Sequence, residues 1–434
     1  MAKSDVLIIG AGLAGLCCAR KLQKEGIGCR ILEASDGVGG RVRTDAVDGF
    51  LLDRGFQVLL TAYPEALDQL DYDGLDLCAF LPGALVRYEG HFRRLADPWR
   101  GGGTMMGSLF SPVGKFSDKL RLSSLRGSVM RKSIEEIFAT PETSTLQNLR
   151  KRHFSHRMTD YFFRPLFGGA MLDTKLASSA RMFEFIFKMF CEGDAAVPAK
   201  GMGAIPAQIA ASLAPGTVQL NCRVHSMTPG QVKLTTGDVL EAGEIVLATE
   251  GDEALRLAGE SKKLSNRGVC CFYFAAKEPP VDEPMLVISG SNRGPINNLA
   301  VMNLVAPAYA SKDEFLVSVT TVGQPSRDDN TMIAAVRQQL KRWYGLVTEE
   351  WRLIRYYRIE RALPSVFPLE RVQRPKLSEG LYVCGDHRAT PSIQGAMESG
   401  RAAAESLIRK LKGEPEPEQG EAEGEELPSG QTSE

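Results

Sequence analysis

The chain has 434 residues, 43% hydrophobic and 24% charged, with a net charge of -1. That is enough apolar material for two cores, and a chain this long usually divides. No apolar run approaches the ~18 residues of a membrane span, and nothing reads as a recognition helix or an aromatic RNA-binding sheet, so nucleic acid is not an expected partner.

Val6 to Ile9 is a short apolar run that stops at Gly10, and Leu13 to Lys24 carries apolar residues at helical spacing through Leu16, Ala19 and Leu22. A strand, a tight turn and a helix follow from that pattern. The turn reads Gly10, Gly12, Gly15. The first glycine lets the backbone reverse, the second leaves room for a pyrophosphate, and the third lets the helix sit close to the strand. An anion is favoured at the free N–H groups of such a helix start. Cys29 to Leu32 is a second strand, and Glu33 stands at its end, 23 residues beyond Gly10. A carboxylate there can accept hydrogen bonds from the hydroxyls of an adenosine ribose. Little chain precedes the first strand, so no signal or transit peptide is expected; a processed organelle protein would read the same.

Gly39, Gly40 and Arg41 follow in LEASDGVGGRVRT, where the arginine can neutralise a pyrophosphate. Here the chain resembles the flavin amine oxidase and phytoene desaturase superfamily, whose members run from the ribose acid into a GGR turn. The resemblance implies FAD, with Arg41 on its phosphates. Gly55, Phe56 and Gln57, in LLDRGFQVLL with Asp53, match the next family block, along the flavin ring.

Between Leu60 and Ala196 the nucleotide fold is interrupted. Helical periodicity occurs at Tyr63–Leu70, Lys115–Arg126, Ser133–Phe138, Thr145–Arg150 and Arg157–Phe163, with a loop at the glycines 101–103. Superfamily members insert a largely helical substrate domain here, and DYFFRPLFGGAMLDTKLASS resembles the corresponding block of desaturases and protoporphyrinogen oxidases. Phe183 to Phe190 is nearly all apolar; core packing explains such a stripe, and lining a tunnel is the alternative. Glu184 and Lys188, one turn apart, are an expected ion pair. The insertion is also basic between 115 and 157. Solvation accounts for the charge, and peripheral docking on an anionic membrane is the sharper reading. The expected location is cytoplasmic or at a membrane surface.

Lys200 to Leu213 is a glycine turn and an amphipathic helix, followed by short alternating strands up to a buried strand at Val246–Thr249. In the family a backbone contact to adenine falls on Val224. From Arg267 to Ser318 the pattern is mostly strand and is expected to form an antiparallel sheet, with a helix at Asp329–Tyr344 packed on it. Gly380 to Val383 is a strand ended by Gly385-Asp386, and Ile393 to Ile408 is a helix. In the superfamily the aspartate meets the ribityl or phosphate region and the helix N-terminus faces the pyrimidine edge of the flavin, which a helix dipole would stabilise on reduction. Residues near 10 and near 386 must then meet. By the same resemblance the cofactor contacts include Ala14, Ala34, Ile393, Gln394 and Ala396.

The expected fold is α/β: a Rossmann-type FAD-binding domain from 1–60, 197–262 and 375–412, and a discontinuous α+β substrate domain from 61–196 and 263–374. Residues 413–434, with eight glutamates and no Lys or Arg, read as a disordered tail. Nine cysteines without CxxC spacing read as buried thiols, with no metal site.

No second nucleotide fingerprint and no redox cysteine pair is legible, which leaves hydride removal from a small apolar substrate by a flavin, reoxidised by oxygen or a quinone. Amine oxidases cage the amine with aromatic residues before the last helix, and CGDHRATPSIQGAMESG has no Tyr or Trp. The expectation is a carotenoid- or isoprenoid-desaturase-like enzyme; the alternatives are an amine oxidase, a protoporphyrinogen oxidase, or a flavin-bound carrier. His387 is the one acid-base candidate, beside Arg388, and Lys200 and Lys277 are candidates for a lysine near the flavin.

Overall fold

A computed structural model describes residues 4–96, 111–290, 294–311, 313–323 and 328–415. The glycines 101–103 and all but the first three residues of the acidic tail lie outside the described residues.

Strand β1 (Ser4–Ile9), helix α1 (Leu13–Lys24) and strand β2 (Cys29–Leu32) form the predicted unit. β1 lies parallel between β2 and the strand Val239–Leu247, which in turn pairs in parallel with Leu381–Val383. Four residues of β1, Val6 to Ile9, are buried, as a strand covered on both faces requires. The helix Ile393–Lys412 packs on α1, and Gly400 makes this possible: a Cβ there would sit 2.1 Å from the Ala14 carbonyl oxygen.

A second sheet of seven strands runs in the order Arg352–Pro364, Asn266–Ala276, Phe315–Val322, Ile296–Val301, Leu286–Ser289, Gly83–Tyr88, His91–Ala96. Side chains alternate between its faces. Cys270, Phe272, Phe274, Val317 and Val319 form a core with Met332, Val336 and Leu340 of the helix Asp329–Tyr344. Cys271, Tyr273, Ala300 and Leu316 face the other way, into the core shared with the nucleotide unit and the helical insertion.

The last two strands correct the reading of 61–196 as helical. Gly83–Tyr88 and His91–Ala96 are a hairpin, and the first pairs in parallel with Leu286–Ser289, so the sheet is mixed and not antiparallel as expected, because the hairpin joins from a distant segment of the chain. Its turn, Glu89-Gly90, has both residues at positive φ (46° and 82°), the geometry of a tight two-residue hairpin loop. Alternation in GALVRYEGHFRRLA carried this signal, and the helical context hid it.

The rest of the insertion is helical where expected, and two of its helices start at reciprocal caps. Ser133 Oγ accepts from Glu136 N at 3.1 Å while Ser133 N donates to Glu136 Oε2 at 2.7 Å, and Ser144 with Gln147 repeats the device. In the helix Ala180–Glu192, Glu184 does not pair with Lys188. Its buried carboxylate accepts from Lys132 Nζ at 2.7 Å and Arg152 Nη2 at 2.8 Å, and Lys188 turns to Glu192 at 2.7 Å. Partners from two other segments outcompete the local one because Glu184 points into the bundle, where Asn148 Nδ2 also donates to it at 3.1 Å.

Candidate functional site: a cavity joining the two sheets

The C-terminal ends of β1, Val239–Leu247 and Leu381–Val383 lie side by side, so Gly10 and Gly385 meet across one intervening strand, as expected. From this edge a cavity of about 850 Å³ runs past α1 to the helical insertion and the second sheet.

At the nucleotide end it is lined by Gly10, Gly12, Ala14, Glu33, Ala34, Gly40, Arg41 and Val224. The three glycines divide their work as the spacing predicts. A Cβ on Gly15 would lie 2.1 Å from the Gly10 carbonyl oxygen, so this residue serves helix–strand packing and does not face the cavity. A Cβ on Gly12 would meet nothing within 4 Å, because the residue faces open space, and Gly40 stands opposite, its own Cβ position 3.5 Å from Gly12 Cα. α1 begins without a side-chain cap. Its first N–H groups are thus free of an internal competitor for an anion.

Glu33 is held in place by its own turn. Oε2 accepts from Ala11 N at 2.7 Å, and Oε1 accepts from Ser35 N and Oγ at 2.8 and 2.7 Å. Thr249 Oγ1, on the same edge, is buried with no partner among the described residues. An orphaned hydroxyl beside two facing glycines, an uncapped helix and a fixed carboxylate fits the ribose and diphosphate of a dinucleotide. Arg41 and Asp386, separately expected at the phosphates, are brought together: Arg41 Nη2 lies 2.5 Å from Asp386 Oδ1, and Nη1 donates to Ala362 O at 2.7 Å.

The middle of the cavity is lined by Gly55, Phe56, Gln57, Gly385, Asp386, Ile393 and Ala396. Gln57 is fixed by donating to Arg41 O at 2.9 Å. Ser392 Oγ caps the last helix by accepting from Gly395 N at 3.0 Å, so the positive end of a 20-residue helix dipole faces this space.

Three expectations need correcting. Gln394 does not line the cavity; it faces the opposite side of its helix, accepts from Glu65 N at 2.9 Å and is 2% exposed. His387 lies in a one-turn helix beyond Gly385, against the positions where Cβ atoms of Gly251 and Gly385 would be, and does not line the cavity. Burial pushes its imidazole down to about 4, so it is neutral at pH 7 and away from the reacting space. Lys200 and Lys277 are exposed and outside the cavity; Lys119, from the helix Phe116–Met130, lines it instead and donates to Ser111 O at 2.9 Å.

The far wall was foreseen only as an alternative. Met182, Ile186, Phe187 and Phe190 line the cavity, while Phe183 and Phe185 pack inward, Phe183 against Phe167 with ring centres 4.8 Å apart. The apolar stripe is core on one side and wall on the other. The hairpin adds Gly83, Leu95 and Ala96, the sheet adds Asn298 and Thr320, and Tyr63 comes from a segment distant in the chain from the last helix but packed beside its start. These had no motif to announce them. Buried cysteines are unreactive: burial pushes the thiols of Cys17, Cys18, Cys29, Cys271 and Cys384 up. Among the described residues no cluster is placed to hold a metal, and no helix is long and apolar enough to cross a membrane.

A dinucleotide cradle opening into an apolar chamber under a second sheet defines a two-sheet nucleotide-dependent oxidoreductase. The chain belongs to the family of flavin-containing amine oxidoreductases, whose sequence model matches residues 13–408, and its cofactor is FAD. Among curated relatives, protoporphyrinogen oxidase 2 of Arabidopsis thaliana is 26% identical over 164 residues, 38% of this chain and 32% of that protein. Putrescine oxidase of Kocuria rosea is 35% identical over 162 residues, 36% of this chain and 32% of that protein. The aligned segments thus span about a third of these relatives. Solved structures with the same fold include an oxidoreductase from Methanosarcina mazei (TM-score 0.72, 16% identity, 93% of this chain and 99% of that one). A redesigned putrescine oxidase has a TM-score of 0.70 at 18% identity, over 93% of this chain and 98% of that one.

Proposed function

We propose that this chain removes a hydride from a C–H bond of a largely apolar substrate, on the isoprenoid-desaturase side of its family, with oxygen or a quinone as the final acceptor. The observation that carries this reading is the apolar wall formed by Phe162, Leu166, Phe167, Ile186, Phe187 and Phe190. Bound FAD supplies the hydride-accepting centre. The chain's residues do the rest. Gly12, Gly40 and Arg41 hold the diphosphate, and Glu33 holds the ribose. The N-terminus of Ile393–Lys412 stabilises negative charge at its end of the cavity, and the aromatic wall excludes water and aligns the substrate by shape. Forming the double bond releases a proton as well as the hydride, and the cavity carboxylate Asp194 or solvent accepts it.

An amine substrate is the second reading, favoured by the putrescine oxidase relative and by two cavity residues: Asp194, a carboxylate, and Tyr63, an aromatic group beside Ser392. Absorption of the purified protein without oxygen, before and after adding polyenes, porphyrinogens and amines, tests both. Bleaching of the ~450 nm flavin band by a polyene or porphyrinogen alone supports the first reading, and bleaching by an amine overturns it.

We also propose that the segment 115–157 docks on anionic lipid. Supporting this, Phe116 and Leu120, one turn apart beside Lys115 and Lys119, are 67% and 60% exposed. Against a purely basic patch, Lys132, Arg152 and Arg121 are engaged with Glu184 and Asp118. Equal, negligible co-sedimentation with neutral and anionic liposomes would sink this idea.

A further inference from the structure

Besides Thr249 Oγ1 at the nucleotide end, two buried polar groups in the cavity have no partner among the described residues: Asn298 Nδ2 and Thr320 Oγ1. Asn298 is 5% exposed and Thr320 4%, and they are directly opposed on adjacent strands, Asn298 in Ile296–Val301 and Thr320 in Phe315–Val322. Cross-strand partners share a face of the sheet and stand about 5 Å apart at Cβ. Buried donors without partners are rare, and each needs an explanation.

The arrangement is built. The pairing register slips between Ile296 and Asn298, a bulge at Asn297. In a regular strand Asn297 and Asn298 would point to opposite faces; the bulge turns them together, so that Asn297 Nδ2 donates to Asn298 Oδ1 at 3.0 Å and to Pro165 O at 3.0 Å. That bond occupies the Asn298 oxygen and leaves its NH2 as the free end. Gly169 makes room for the bridge, since a Cβ there would lie 2.5 Å from Asn297 Nδ2. On the same face Ser318 is spent on Cys271, Oγ to Sγ at 3.4 Å, which leaves the Asn298 and Thr320 groups as the unspent pair.

We infer that Asn298 and Thr320 form a polar anchor that binds an oxygen acceptor (a carbonyl, carboxylate or hydroxyl) carried by an otherwise apolar substrate. This rests on the hydride-removal reading above and narrows its substrate class: a plain hydrocarbon would leave both donors unpaired, whereas an oxygenated one satisfies them and is fixed in register along the apolar wall. Asn297 and Gly169 are positioning residues, because they act through the Asn298 amide.

The test uses the FAD-bound protein and three matched C18 probes, oleic acid, oleyl alcohol and (Z)-9-octadecene, read by perturbation of the flavin absorption band and not by its reduction. A failure of the hydride-removal reading therefore leaves the binding result intact. The oxygenated probes are expected to bind about tenfold tighter than the alkene, and Asn298→Ala or Thr320→Val abolishes that preference. Thr320→Val, which deletes only an unpartnered hydroxyl, keeps or raises the melting temperature. Gly169→Ala, by displacing Asn297, reduces the preference while leaving alkene affinity unchanged. Equal affinity for all three probes, no binding by any, or a preference that survives both substitutions overturns the anchor. So does a fall in melting temperature in Thr320→Val with binding unchanged, which would mark the pair as a structural water site.

Discussion

Arg41 Nη2 and Asp386 Oδ1 are 2.5 Å apart although 345 residues separate them in the chain. Their contact ties the turn Gly39-Gly40-Arg41 to the end of the last strand at the edge of the cavity. Arg41→Ala removes the cation and leaves a carboxylate that is 6% exposed facing the diphosphate region. Loss of a charge-assisted contact of about 1.5–3 kcal/mol lowers FAD retention roughly ten- to a hundredfold. The ratio of flavin to protein absorbance after gel filtration measures it, and full retention would remove Arg41 from the site.

Gly12→Ala and Gly15→Ala separate cofactor binding from folding. The first places a methyl in open cavity space with φ at -71°, which alanine adopts freely, so the fold is kept and FAD is lost. The second drives a methyl against the Gly10 backbone and destabilises the fold by about 1–3 kcal/mol or more. Thermal unfolding of the apoproteins, alongside FAD titration, distinguishes the two; equal stability loss in both would contradict the division.

Asp53 is 1% exposed, and burial pushes its carboxyl up to about 6 in spite of hydrogen bonds from Thr44, Tyr309 and Met202. A folded-state value above the ordinary 3.8 gives a stability contribution that is full below pH ~4 and lost as pH rises through ~6, about 3 kcal/mol in all. Asp53→Asn keeps an acceptor for Thr44 and Met202 and cannot ionise, so urea titrations from pH 4 to 7.5 show the wild type losing stability relative to the variant. A constant difference between them across that range would show that Asp53 does not titrate on folding.

His387→Ala leaves the rate of flavin reduction unchanged, because the imidazole is neutral and outside the cavity. Anaerobic stopped-flow with a reducing substrate checks this, and a pH-dependent loss of rate would restore His387 as an acid-base group.

Glu184→Gln weakens the bundle that backs the apolar wall, since Lys132 and Arg152 lose their shared counter-charge. Both cations are about a quarter exposed, so the cost is below that of a fully buried pair, about 2 kcal/mol. Thermal unfolding reads it at pH 7. The Glu184 carboxyl is held below its ordinary value by the two cations against the opposing effect of burial. Its contribution is therefore present above pH ~4.5 and disappears at lower pH, where the variant and wild type converge.

What could be read in the chain before folding was local. Gly10, Gly12, Gly15 and Glu33 reach their roles within one strand–turn–helix unit, and the pattern of periodicity and glycine spacing carries the whole instruction. Where a role depends on which face a residue presents, reading along the chain failed. Gln394 and His387 sit beside true cavity residues yet point away, because a helix turns each residue by 100° and a one-turn helix by more.

The sequence by itself determined the nucleotide cradle and the strands between Arg267 and Ser318, since each follows from contacts a few residues apart, while the flavin came from the resemblance of the GGR turn to a family. Only the tertiary structure decided the chamber. Strand register set Asn298 opposite Thr320, the bulge at Asn297 turned one amide outward, and the bundle chose Lys132 and Arg152 over Lys188 for Glu184. Those outcomes depend on pairings between distant segments, whose energies compare whole packings and not neighbouring residues.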